Sequence, residues 1–542
     1  MKTTTRALLI TCFAAGASLA QNADTTRMDQ VAQSYVTAKQ FMGSVLVARG
    51  SDVLFSKSYG SANLEWNIPN TPTTKFRLGS VTKQFTAAAI LLLQERGKLN
   101  VDDPVKKYMP DAPGAWDKVT LFNVLTHTAG IPNFTSFPDY PQKSLSPMTT
   151  EQLVAWFKDK PLEFEPGSKF NYSNSDYVLL GYLIEKLSAE SYAKFLQENI
   201  FTPLDMKDSG YDSNSTLIER RAAGYTNTPA GIVNAGYVDM TVPHGAGALY
   251  STTLDLLKWQ QGLYGGKLLK PESLARMTTP FKDNYALGLI SQTTAGRKNY
   301  WHSGGIQGFN TALGYYPDTK VSVVVLSNLN GAAPDQMLPK LAALAHGETV
   351  QLTSERQEIK VAKEVLPAYV GTYQMAPRVN MMITVDGDQL VSQMSGQGKI
   401  PLFAESSTKF FPKVVDAQIE FEKDGNGKVT GLILHQNGRD VKAPRTSDTV
   451  LERKAISVKP EILTAYTGTY QAGPMTLTVT LEDGHLMMEP ARQRKSELFP
   501  ESETSFFLKV VDAQVEFQKD GTGAVTGLVL HQGPNDLKAV RQ

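Results

Sequence analysis

The sequence predicts an α+β domain followed by two small antiparallel β-barrels. Three observations carry that expectation. Helical and strand-like periods are mixed over residues 21–355, the remainder is a tandem repeat, and each repeat consists of short alternating runs parted by turn residues. At 542 residues, 41% hydrophobic and 20% charged, the chain has ordinary globular composition and the length of about three domains.

The first element is an export signal over residues 1–20. Lys2 and Arg6 precede the apolar stretch Ala7 to Ala17, Ser18-Leu19-Ala20 supplies the small residues that a signal peptidase needs, and polar sequence from Gln21 to Arg27 follows. The mature chain is expected to start at Gln21. The apolar run falls short of the ~20 residues that span a membrane, and no later uncharged stretch reaches that length. The one cysteine, Cys12, lies inside the signal, so the mature chain is expected to carry no disulfide, thiol nucleophile or cysteine metal site. That suits a secreted or periplasmic protein, where thiols are oxidised. Loss of Lys2 and Arg6 takes the formal charge from +1 to −1, and neither value points to nucleic acid.

In the α+β domain, helical periods at Phe85 to Gly97 and Tyr177 to Leu187 alternate with strands at Ser44 to Ala48 and Val321 to Leu326. Thr311 to Tyr316 and Val321 to Asn328 form a hairpin around Pro317-Asp318-Thr319-Lys320, and Trp301 to Gly305 leads into the same sheet. Beyond it, Gly371-Thr372-Tyr373-Gln374 returns as Gly468-Thr469-Tyr470-Gln471, and Val414-Val415-Asp416-Ala417-Gln418 as Val510-Val511-Asp512-Ala513-Gln514, at an offset of 96 or 97 residues. Each copy, residues 356–450 and 451–542, is expected to close into a barrel, because closure hides the sheet edges that a meander leaves open. The joints fall near Val350 to Lys363 and Thr446 to Pro460.

Serine and lysine three apart on a helix share a face, so a Ser-x-x-Lys pair can set an amine against a hydroxyl. The pattern occurs three times, at Ser80/Lys83, Ser191/Lys194 and Ser406/Lys409. Only Ser80 and Lys83 open an apolar helix, Phe85 to Leu93. Burial there lowers the lysine pKa, because desolvation disfavours the ammonium, and a neutral amine can take the serine proton. Tyr172-Ser173-Asn174 is expected in a loop before a helix starting near Asp176, with Tyr172 losing its proton easily beside ammonium groups. His302-Ser303-Gly304-Gly305 combines a titratable ring with two glycines that let a substrate approach the backbone.

In order and spacing, Ser80-Val81-Thr82-Lys83, Tyr172-Ser173-Asn174 and His302-Ser303-Gly304 resemble the three motifs of the serine β-lactamase and penicillin-binding-protein superfamily. Phe76-Arg77-Leu78-Gly79, Val124 to Gly130 and Gly245 to Ser251 are similar to segments of its class C branch. The resemblance implies a β-lactamase-like domain with an antiparallel sheet flanked by helices. It also implies acylation of Ser80, proton transfer through Lys83 and Tyr172, an amide contact from Asn174, and an oxyanion held by the N–H groups of Ser80 and Gly305. His127 has no role in that scheme and reads as structural.

Where β-lactamases carry Lys-Thr-Gly or Lys-Ser-Gly, this chain has His302-Ser303-Gly304, similar to D-aminopeptidases and some esterases. A histidine is mostly neutral at about pH 7 and lacks the fixed charge that anchors a carboxylate. The two barrels resemble the paired barrels that follow the catalytic domain in D-aminopeptidases and the lipocalin-like tails of related peptidases, and they are expected either to bind ligand or to pack on the catalytic domain and narrow its cleft. The leading expectation is a secreted serine hydrolase of small esters or amides, including D-amino-acid peptides, with weak β-lactamase activity. The alternatives are a true β-lactamase and a penicillin-binding sensor that deacylates slowly. The implied partner is a small-molecule or peptide substrate. No cofactor is implied, since the chain has no His-Glu-x-x-His, Gly-x-Ser-x-Gly or phosphate-loop motif.

Overall fold

The computed structural model describes residues 25–228, 230–436, 439–450, 453–473, 475–491, 494–533 and 535–542, and the expected export signal lies outside them. The chain divides into two compact units at Leu352/Thr353.

The first unit is built on six strands: β1 (Gly43–Arg49), β2 (Asp52–Tyr59), β3 (Ile290–Thr294), β4 (Arg297–Ile306), β5 (Phe309–Tyr316) and β6 (Val321–Ser327). Their order is β3-β4-β5-β6-β1-β2, with every neighbour antiparallel. Successive side chains in a strand point to opposite faces, and here both faces are covered. Val45, Val47, Val323 and Val325 pack with Val31 and Tyr35 from a helix over 25–37 and with Met337 and Leu341 from α3 (Ala333–Ala345). Leu46, Ala48, Val324 and Leu326 face the other core. Double coverage explains why β1 and β6 read as unbroken apolar runs, and each leucine-sized side chain buried this way contributes ~1.5–3 kcal/mol.

Two helices of that second core carry the motif residues. In α1 (Thr82–Glu95) every residue from Thr82 to Leu93 is buried, the polar Thr82, Lys83, Gln84 and Thr86 of its first turns included, and Phe85 stacks on Trp259 at 4.0 Å between ring centroids. The other, α2 (Asn174–Ser188), begins two residues before the position expected from sequence, so Asn174 opens the helix instead of lying in a loop.

The second unit holds two closed eight-stranded antiparallel barrels, spanning Gly371 to Ser447 and Gly468 to Arg541. Each barrel has a buried core, and the two are built alike: Tyr369 packs on Phe421 at 4.5 Å and Tyr466 on Phe517 at 4.1 Å. The hydroxyls of Tyr373 and Tyr470 donate to the carbonyls of Tyr369 and Tyr466 at 2.8 and 2.7 Å. The barrels touch through the Asp512 N–H, which donates to the Gln397 carbonyl at 3.1 Å, and through an Arg378–Asp536 ion pair. Among the described residues no helix is long and apolar enough to cross a membrane.

Candidate active site

Ser80 lies in a one-turn 3-10 segment, Gly79–Val81, that runs straight into α1. Gly79 takes φ +54°, and a Cβ there would stand 2.8 Å from the Gly305 nitrogen. Gly304 is constrained more severely, since a Cβ would fall 1.9 Å from the Leu78 carbonyl oxygen, to which Thr311 Oγ1 donates at 2.7 Å. The two glycines therefore let the nucleophile turn and β4 meet backbone to backbone. That contact sets Ser80 beside Gly305 on one wall of a cleft.

One turn along α1, Lys83 Nζ is fully buried, lies 3.1 Å from Ser80 Oγ, and donates to Asn174 Oδ1 at 2.9 Å and the Ala246 carbonyl at 2.9 Å. Burial holds its pKa well below the ordinary lysine range, while a negative charge on Asp176 would pull it back up. The amine is thus aimed at the serine and disposed to be neutral, as a base must be. Asn174 is fixed from both ends, its N–H donating to Asn133 Oδ1 at 3.1 Å and its Nδ2 to Thr135 Oγ1 at 3.3 Å.

Tyr172 is half-buried, with its ring centroid 4.7 Å from Lys83 Nζ. Burial pushes its phenol well above the ordinary range, against a hydrogen bond to Ser80 that pulls it down. This reverses the expectation of an easily lost proton: desolvation of the phenolate outweighs any help from Lys83. Its phenol is therefore held protonated and is not a standing phenolate.

His302 is 4% exposed and sits behind the cleft. Its Nδ1 lies 2.5 Å from the Ser303 carbonyl, which can only accept, so Nδ1 carries the proton and Nε2 accepts from the Tyr285 hydroxyl at 3.1 Å. Burial, reinforced by Lys83, pushes His302 down to about 3. The ring is neutral and supplies no charge for a carboxylate.

The cleft encloses about 470 Å³. Phe134, Tyr140, Val238 and Ile306 give it apolar walls, Thr135, Asn174, Gln307 and Asn330 give neutral polar ones, and among the described residues no charged side chain lines it. The other Ser-x-x-Lys pairs are spent elsewhere. Ser191 caps its own helix through the Lys194 N–H, and Lys194 pairs with Glu190, while Lys409 pairs with Glu420 on a barrel.

Sequence reasoning missed the Ala246 carbonyl. Gly181 and Gly245 bring it to Lys83, since a Cβ on Gly245 would stand 2.5 Å from the Tyr177 carbonyl and one on Gly181 2.4 Å from His244 Nδ1. The glycine-rich run beginning at Gly245 was the available signal. It also missed Tyr285, which no local pattern marks.

A seryl-lysine pair at the head of a buried helix, against the edge of an antiparallel sheet, defines a serine hydrolase of the penicillin-recognising type. The Beta-lactamase family profile matches residues 28–347, and the chain belongs to that family. A Domain of unknown function (DUF3471) matches residues 355–445 and again 452–540. The chain is 28% identical over 435 residues to Penicillin-binding protein 4* of Bacillus subtilis, covering 75% of this chain and 95% of the relative. It is 28% identical over 306 residues to the Teichoic acid D-alanine hydrolase of Staphylococcus aureus, covering 55% of this chain and 72% of the relative. The crystal structure of a D-stereospecific amidohydrolase from Streptomyces sp. superposes with a TM-score of 0.52 at 25% identity, covering 60% of this chain and 99% of that one.

Proposed function

We propose that this chain hydrolyses small esters or amides with uncharged acyl groups, D-configured ones included, through an acyl-enzyme on Ser80. The observation that carries the reading is the buried Lys83 amine bonded to Ser80 Oγ at 3.1 Å in a cleft without charged walls. As Ser80 Oγ bonds to the substrate carbonyl carbon, its proton passes to Lys83 Nζ. The oxyanion lies at the N–H groups of Ser80 and Gly305, an arrangement typically worth several kcal/mol. Tyr172 hands a proton to the leaving group and is reprotonated through Lys83, and water then releases the acid by the reverse sequence. Asn174 Nδ2 orients the substrate amide. Two relatives named for hydrolysing D-alanyl or D-configured substrates support the stereochemical part.

A neutral His302 leaves a penicillin carboxylate without a partner, so β-lactam turnover is expected to be weak. The signal-like residues 1–20 support action outside the cytoplasm. A panel of p-nitrophenyl esters, D- and L-aminoacyl amides and nitrocefin tests the reading. It predicts a burst with the esters, a preference for D-acyl groups, and slow nitrocefin hydrolysis. Efficient nitrocefin turnover, or a Ser80→Ala protein that works at the parent rate, overturns it.

A further inference from the structure

Behind the cleft lies a buried pair that the proposed mechanism does not use. His127 is 0% exposed and adopts φ +56°, a left-handed conformation unusual for a residue with a Cβ. It brackets Tyr172 from both sides: its carbonyl accepts from the Asn171 N–H at 2.9 Å and its Nδ1 from the Ser173 N–H at 3.2 Å. Its ring lies against the Tyr172 ring at 4.4 Å. On the far side of Nδ1, at 2.9 Å, is Asp176 Oδ2, from the first turn of α2.

Ser173 is the N-cap of α2 and Asp176 its third residue, the spacing at which an acidic side chain ordinarily reaches back to the N-cap N–H. Here the imidazole is inserted between the two. Because the Ser173 N–H points at Nδ1, that nitrogen is an acceptor whose one lone pair is shared with the proton of the Asp176 carboxyl, and the ring proton sits on Nε2, which has no hydrogen-bond partner among the described residues. Among the described residues Asp176 Oδ1 has no hydrogen-bond partner although the residue is 1% exposed, a placement far costlier for a carboxylate than for a carboxylic acid.

We infer that His127 and Asp176 form an uncharged positioning pair, in which Asp176 Oδ2–H donates to His127 Nδ1 and the ring so held fixes the direction of Tyr172. The inference rests on the proposed role of Tyr172. The titratable groups around the pair are Lys83 from α1, Glu163 from the preceding loop, Tyr172 and Tyr177 on its own segment, and Tyr285 and His302 from the sheet side. Burial pushes Asp176 well above the carboxylate range, against Lys83, and pushes His127 well below the imidazole range.

Four variants and one spectrum test this. With a D-aminoacyl amide, whose leaving amine must take a proton, Tyr172→Phe loses acylation if Tyr172 has its proposed role; a parent rate there sinks that role and leaves His127 nothing to position. Given that loss, His127→Phe is expected to acylate at least about tenfold more slowly with KM within about threefold, and His127→Asn, whose Oδ1 replaces the Nδ1 acceptor, to recover most of the rate. A His127→Phe protein acylating at the parent rate overturns the inference alone. Asp176→Asn, which keeps a donor, is expected to leave the acidic limb of kcat/KM unmoved. Were Asp176 a carboxylate, its removal would lower the Lys83 pKa and carry that limb to lower pH, overturning the inference. Should His127→Phe not fold, the infrared spectrum decides. A carboxylic-acid C=O band at neutral pH that Asp176→Asn abolishes supports the pair, and its absence refutes it.

Discussion

At the scale of single residues, the account turns on where protons sit. Lys83 can accept the Ser80 proton only as the neutral amine, so kcat/KM on an uncharged ester should fall as pH drops through the lowered Lys83 pKa. Tyr172 is raised, so the alkaline side should hold past the ordinary phenol range. A pH profile checks both limbs, and loss of activity on moving from neutral to mildly alkaline pH would contradict the assignment. Lys83→Ala should cost on the order of 10²- to 10⁴-fold in acylation, measured by the burst rate. For His302, ¹⁵N shifts of the imidazole should show a neutral ring protonated at Nδ1, flat across the range where free histidine titrates. Ser80 and Lys83 were legible in the sequence because their relation is local, three residues on one helix. Ala246 and His127 were not, because their parts in the site come from the fold: a carbonyl carried in on Gly245, and a ring held by Asp176 49 residues away.

At the scale of elements, the site is a junction of α1, α2 and β4 whose closeness depends on missing side chains. Gly304→Ala would drive a Cβ onto the Leu78 carbonyl oxygen and force β4 off the nucleophile turn. It should destabilise the protein by about 1–3 kcal/mol or more and slow acylation, read by denaturant unfolding and the burst together. An unchanged protein would mean the strand is not what seats the turn. The strands were readable as apolar runs and the hairpin as a turn between two of them, since those signals are written in neighbouring residues. The start of α2 was not, because Asn174 is drawn into the helix by partners far away in sequence, Asn133 and Thr135. The phenol of Tyr172 was misjudged for the same reason: its burial is a property of the packed site, and a motif does not display it.

At the scale of the whole molecule, each of the two units has cores of its own, and each barrel has its own core of aromatic and aliphatic side chains. A chain ending after Leu352 is therefore expected to unfold cooperatively and to keep the Ser80 burst, as checked by circular dichroism and p-nitrophenol release. Collapse of that fragment would show that the catalytic unit depends on the barrels. The repeat was plain in the sequence because two copies of one motif cannot be hidden. Which side chains meet inside each barrel was not, since alternation shows only which of them face inward, and which of them touch depends on the closed geometry.

The central claim is covalent catalysis at Ser80, and the most direct measurement is the mass of the enzyme quenched during turnover of a p-nitrophenyl ester, followed by peptide mapping. The account predicts one acyl group, on the peptide containing Ser80, appearing with the burst and absent from Ser80→Ala. An acyl group on any other residue, or full turnover by Ser80→Ala, would contradict it.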